Sequence, residues 1–207
     1  MNSQIETRSY GKPLELREVN KPGFLKKGLR GYAIVYGVES RDMGGWKEII
    51  ARGAMTESLT KGNDVRLLYQ HDSKQPMARE SSGTLTLRED DTGILFEADL
   101  TDTTLNRDVL ANIEARNLDA MSFGMPYASV TAKWERSANQ KYDVRTVTKA
   151  DFVEISVVTW AAYEDTSVAA RAHQIFAEQL RSADEQKAPS LALISARAAA
   201  EKLRYRS

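Results

Sequence analysis

The sequence predicts an α+β fold: about seven strands gathered between residues 29 and 166, flanked by helices, with a helical tail over 167–207. Three observations carry this reading. Short runs rich in Val, Ile, Tyr and Phe recur from Leu29 onward, separated by Gly, Asp and Asn turns. One stretch, 102–116, has a clear helical period. Beyond residue 166 the composition shifts to Ala, Leu, Gln and Glu, all good helix formers.

The elements follow in chain order. Residues 1–30 hold seven Lys and Arg against three Glu, two of the five prolines and few apolar side chains. Such a segment buries too little surface to offset its ordering entropy, so 1–28 reads as a basic, loosely held arm. LRGYAIVYGV (29–38) is a strand with Tyr32, Ile34 and Tyr36 on one face. WKEII (46–50) is a second strand, after the turn RDMGG. GAMTESLT (53–60) forms one or two helical turns, ended by Lys61-Gly62-Asn63. DVRLLYQHD (64–72) is a strand opening into a polar loop that contains Pro76.

GTLTLRE (83–89) and ILFEADL (94–100) alternate across an EDDTG turn and predict a hairpin. In 102–116, Leu105, Val109 and Ile113 stack at i, i+4, i+8, with Asp102 as the expected cap. Residues 118–136 read as extended chain broken near Pro126; SANQK (137–141) turns and 142–150 pairs back. DFVEISVVTW (151–160) is a core strand. Two further helices are expected at 167–182 and 190–206, joined by a linker at 183–189. The domain boundary falls near residue 166.

Composition narrows the chemistry. With no cysteine there is no disulfide, thiolate nucleophile or zinc ribbon. The 29 basic residues equal the 29 acidic ones, so strand aromatics such as Tyr32, Tyr36 and Trp46 lack a phosphate track and nucleic acid is not an expected partner. No apolar run approaches the roughly 18 to 20 residues that span a bilayer, and the N-terminus has no apolar signal region. Nucleotide-binding glycine loops, His-Glu-x-x-His and Gly-x-Ser-x-Gly are all missing. Acid–base or nucleophilic chemistry built on one of two histidines remains, with no cofactor or metal called for.

His173 lies in the middle of the 167–182 helix and reads as a solvated helix residue. His71 sits where an apolar strand meets a polar loop, a position where scaffolds present catalytic groups. Ser122, in AMSFGMP, lies between Met121 and Phe123, which point to the opposite face, and Gly124 leaves room beside it for another chain. A serine hydroxyl needs a base to take its proton, and imidazole suits that task. The same serine also fits a packed sheet position with its hydroxyl on a neighbouring carbonyl. Glu154 interrupts the apolar 151–160 strand, and a buried carboxylate is costly unless partnered. His71 is one candidate partner and Arg145 another.

Together these stretches resemble the tailed-phage prohead (procapsid maturation) serine proteases, relatives of the herpesvirus assembly proteases. GYAIVYG with RGAMTESL, LLYQHD, AMSFGM and FVEISVVTWAAYEDTSVAA carry the likeness, which spans residues 29–170. The resemblance implies His71 as general base, Ser122 as nucleophile and Glu154 as the orienting third member, where herpesvirus relatives use a second His. Asp72 and Asp151 compete for that third role. It further implies a barrel-like core and action inside the assembling procapsid in the host cytoplasm. The implied substrates are scaffold or major capsid protein segments and the protease itself; the herpesvirus relatives work as dimers, which leaves both a monomer and a homodimer open here. The alternative is a non-enzymatic scaffolding or coat-binding protein whose His71, Ser122 and Glu154 are separately satisfied.

Overall fold

The computed structural model describes residues 5–10, 14–136, 141–160 and 171–183. The chain divides into two compact units, Met1–Thr166 and Ser167–Ser207. In the first, strands β1 (Ile5–Tyr10), β2 (Glu15–Glu18), β3 (Lys27–Val35) and β4 (Trp46–Ile50) precede helix α1 (Thr56–Lys61). Next come β5 (Arg66–Tyr69), β6 (Asp72–Arg79), β7 (Leu85–Glu89), β8 (Gly93–Ala98) and helix α2 (Thr104–Glu114). The remaining strands are β9 (Ala120–Pro126), β10 (Thr131–Arg136), β11 (Asp143–Lys149) and β12 (Glu154–Val158). In the second unit residues 171–183 are helical. The second tail helix and all of the linker beyond Ala183 lie outside the described residues, as does most of the 137–141 turn.

The strands form three open sheets, in the orders β1-β9-β12-β5-β6, β10-β11-β4 and β2-β3-β8-β7. This corrects the expected barrel. Each sheet ends on its own edge strands; β6, for example, is bulged at two points against β5 and contains Pro76, which cannot donate to a further strand. The expected seven strands become twelve among the described residues, because polar segments also pair. No helix among them is long and apolar enough to cross a membrane.

Local chemistry accounts for the elements that were read correctly. In the β7–β8 hairpin Asp90 Oδ1 accepts from the backbone N–H groups of Thr92 (2.7 Å) and Gly93 (3.0 Å). A Cβ at Gly93 would collide with the Ile34 carbonyl of β3, so that crossing admits only glycine. Helix α2 is capped by Thr103, whose side chain accepts from Asn106 N at 3.2 Å, rather than by the expected Asp102, which pairs with Arg107. The alternation expected in 29–38 breaks at a register shift between Tyr32 and Ile34, so Ala33, Ile34, Val35 and Tyr36 are all buried. Phe96, Phe123, Phe152, Leu29 and Leu67 lie at the centre of one continuous core.

Two further expectations are corrected. The described part of the 1–28 arm is ordered: β1 pairs with β9, and β2 with β3. Its composition suggested charges that must stay in water, yet Glu6 and Arg8 are fully buried because partners from β4 and β11 meet them. The polar loop after His71 is strand β6, leaving only Gln70 and His71 between β5 and β6.

Candidate active site

Strand β9 lies between β1 and β12 and is antiparallel to both. Ser122 faces Ser156 of β12, and Gly124 faces Glu154, so these four positions share one face of the sheet. β12 runs parallel to β5, whose end delivers His71 over the same face. The His71 Nδ1 atom is 2.7 Å from Glu154 Oε1. Ser156 Oγ donates to Glu154 Oε2 at 2.6 Å and accepts from the His71 backbone N–H at 3.2 Å. Both oxygens of this buried carboxylate are therefore engaged, which answers the cost of removing it from water. A carboxylate oxygen accepts, so His71 Nδ1 is the donor in this pair and Nε2 is the ring nitrogen left for another partner.

The backbone beneath His71 is constrained. Gln70 (φ +55°) and His71 (φ +58°) both occupy the left-handed region, as a two-residue type I′ hairpin turn demands. Gly and Asn adopt this conformation cheaply; other residues are disfavoured by roughly 1–2 kcal/mol each. The Gln70 N–H donates to Val157 O at 3.0 Å and its side-chain amide donates to Thr159, tying the turn to the end of β12. A strained histidine held this firmly is placed rather than merely accommodated.

The competing acids are committed elsewhere. Asp72 accepts from Lys74 N at 2.8 Å and Gln75 Nε2 at 3.0 Å, and these bonds, the Gln75 one first, hold its carboxyl below the usual range. Asp151 faces Lys61 at 3.7 Å. Arg145, the alternative partner for Glu154, bonds Glu6 and Glu48 instead. Gly124 has a packing reason: a Cβ there would collide with Glu154 Oε1 and come within 2.9 Å of Ile5 Cγ2. The room that the sequence suggested beside Ser122 is thus filled by the carboxylate and by β1.

Ser122 is 1% exposed, and its hydroxyl donates to the Arg8 carbonyl oxygen of β1 at 2.9 Å rather than to His71. The structure therefore joins His71 to Glu154 directly and sets Ser122 on the same face, with its hydroxyl turned toward a peptide carbonyl of its own chain. His173 belongs to the helical 171–183 segment of the second unit. Among the described residues no three His, Asp or Glu side chains gather where they could hold a metal ion.

Sequence reasoning missed Ser156, although it lies two positions after Glu154 and so shares its face of the strand. It also missed a buried charge cluster on the other face of β1. Arg8 Nε donates to Glu48 Oε1 at 2.6 Å and Arg8 Nη2 to Glu6 Oε2 at 2.7 Å. Arg145 Nη1 donates to Glu6 Oε2 at 2.7 Å and Glu48 Oε2 at 2.8 Å. These four residues come from β1, β4 and β11, and nothing in their local sequence signals the meeting.

Residues 12–180 match the sequence model of a family of serine proteases. The chain belongs to that family, the caudovirus prohead serine proteases. Its fold is similar to that in the structure of the bacteriophage T4 capsid assembly protease, gp21, with a TM-score of 0.50 and 14% identity; the similarity covers 76% of this chain and 98% of that one. No curated protein matches the sequence.

Proposed function

We propose that the chain matures phage procapsids by cutting scaffold or coat-protein segments and itself, with Ser122 as nucleophile, His71 as base and Glu154 as orienting acid. Ser122 Oγ attacks the scissile carbonyl carbon while His71 Nε2 takes its proton. His71 returns that proton to the departing amine, and water then hydrolyses the ester to release the acid and restore the serine. Glu154 fixes the imidazole tautomer and stabilises the imidazolium that forms twice in each cycle. Ser156 holds the second carboxylate oxygen and so keeps Glu154 aimed.

The observation that carries this reading is the 2.7 Å contact between His71 Nδ1 and Glu154 Oε1, on the face of the sheet that bears Ser122. The site of action proposed is the interior of the assembling procapsid. An intact-mass spectrum of the chain co-expressed with its coat protein tests the reading. Shortened chain and shortened coat protein are expected for the wild type, and full-length masses of both for His71→Ala. Equal processing by His71→Ala would overturn it.

A further inference from the structure

The turn that presents His71 is made of residues that resist its shape. Gln70 and His71 both stand in the left-handed region, where the Cβ of an L-residue crowds the following carbonyl oxygen. At most other left-handed positions the chain has glycine, as at Gly37, Gly62 and Gly83. His71 brings the imidazole that the reading above requires. Gln70 has no such role there: it is exposed, and asparagine or glycine would adopt the same backbone at lower cost.

What Gln70 supplies is a side chain long enough to cross to β12. Its amide donates to Thr159 Oγ1, one residue beyond the end of that strand. Its backbone N–H donates to Val157 O at 3.0 Å, and the next N–H, that of His71, donates to Ser156 Oγ at 3.2 Å. Donors from two consecutive residues therefore end on positions 156, 157 and 159. Glu154, whose Oε1 meets His71 Nδ1 at 2.7 Å, belongs to the same strand. The imidazole and its carboxylate are thus both referred to β12, rather than one to the sheet and the other to a free loop.

We propose that Gln70 and Thr159 are positioning residues: their bond holds the strained turn so that the His71 ring keeps its place against Glu154 during proton transfer. This rests on His71 as base and Glu154 as its partner, as proposed above. Gln70 is exposed and Thr159 only partly buried, so water competes for both groups and the bond adds little to stability. Its effect is geometric. Without it the turn relaxes away from a backbone that its residues disfavour, and a general base displaced by a fraction of an ångström loses much of its rate. Stability and activity therefore respond to position 70 in opposite directions. Asparagine suits the left-handed backbone, but its side chain is one methylene too short for the bond to Thr159.

The test uses the full-length protein with its coat protein as substrate. Initial rates of coat shortening, followed by intact mass over a range of coat concentrations, give kcat and KM. Gln70→Asn and Thr159→Val are each expected to lower kcat about ten- to a hundredfold with KM unchanged. Neither is expected to lower the denaturation midpoint. The double variant is expected to lose no more than the worse single one, since both changes break the same bond. Thr159→Ser keeps the acceptor and is expected to restore most of the rate lost in Thr159→Val. In proton NMR the ring N–H of His71, assigned by its absence in His71→Ala, is expected to exchange with water faster in Gln70→Asn than in the wild type. A merely structural role would leave that exchange unchanged. Wild-type kcat in Gln70→Asn and Thr159→Val, or losses that multiply in the double variant, would overturn the positioning role; with His71→Ala inactive, the base would still stand. Wild-type coat shortening by His71→Ala would remove both.

Discussion

β1 and β12 flank the same strand, β9, in the same antiparallel sense, yet they are held by different forces. Every residue of β12 is buried, and Ile155, Val157 and Val158 contribute apolar area at roughly 1.5–3 kcal/mol per large side chain. β1 buries an acid and a base instead. The desolvation of such a pair can cancel most of its attraction, so the net hold on the strand is small. Burial thus takes two forms on the two sides of β9. β12 carries Glu154 to His71 from an apolar strand, and β1 is an edge strand seated on buried charges.

The largest effect separating the two strands is expected from Glu154→Gln. Stability should change little, because the amide still accepts from Ser156, whereas turnover per folded molecule should fall about 10³–10⁴-fold as the imidazolium loses its counter-charge. Unfolding of this variant with normal activity in the folded remainder would make Glu154 structural. Next comes Glu48→Ala, which strands Arg8 and Arg145 in the interior and should cost about 3–5 kcal/mol in chemical denaturation. If the β1 seat is near break-even, replacing Glu6 and Arg8 together by Leu and Met should cost far less than the single change. Ile155→Ala should remove about 2–5 kcal/mol through a cavity in the core, with no compensating double variant at hand.

The smallest effect lies on the surface. Lys149 and, after it, Lys61 hold the Glu57 carboxyl at about 2, below its ordinary value. A depressed folded-state value stabilises the protein above the unfolded-state value near 4.5, and that contribution is lost as the pH falls toward 2. Glu57→Gln should therefore flatten the acid limb of stability only slightly, and salt should erase the difference, because all three groups are exposed. A flattening as large as the loss in Glu48→Ala would contradict the contrast between buried and exposed charge.

What was legible in the sequence follows the same division. β12, α2 and the β7–β8 hairpin could be read because their burial is apolar and periodic, and Asp90 with Gly93 marks the hairpin turn. Ser122 and Glu154 stood out as polar residues in apolar runs, and His71 as the residue where an apolar strand meets a polar segment. β1 and β6 could not be read, because their pairing rests on partners far along the chain. Arg8 meets Glu48 forty positions away, and β6 is polar with a proline inside it. The barrel expectation failed for a related reason: the likeness that suggested it says nothing about which strands remain edges.

The role of Ser122 is tested most directly by Ser122→Ala, co-expressed with the coat protein and read by intact mass alongside circular dichroism. A folded chain is expected, with neither the chain nor the coat protein cut. Cleavage of either protein at the wild-type rate by the folded variant would contradict Ser122 as the nucleophile.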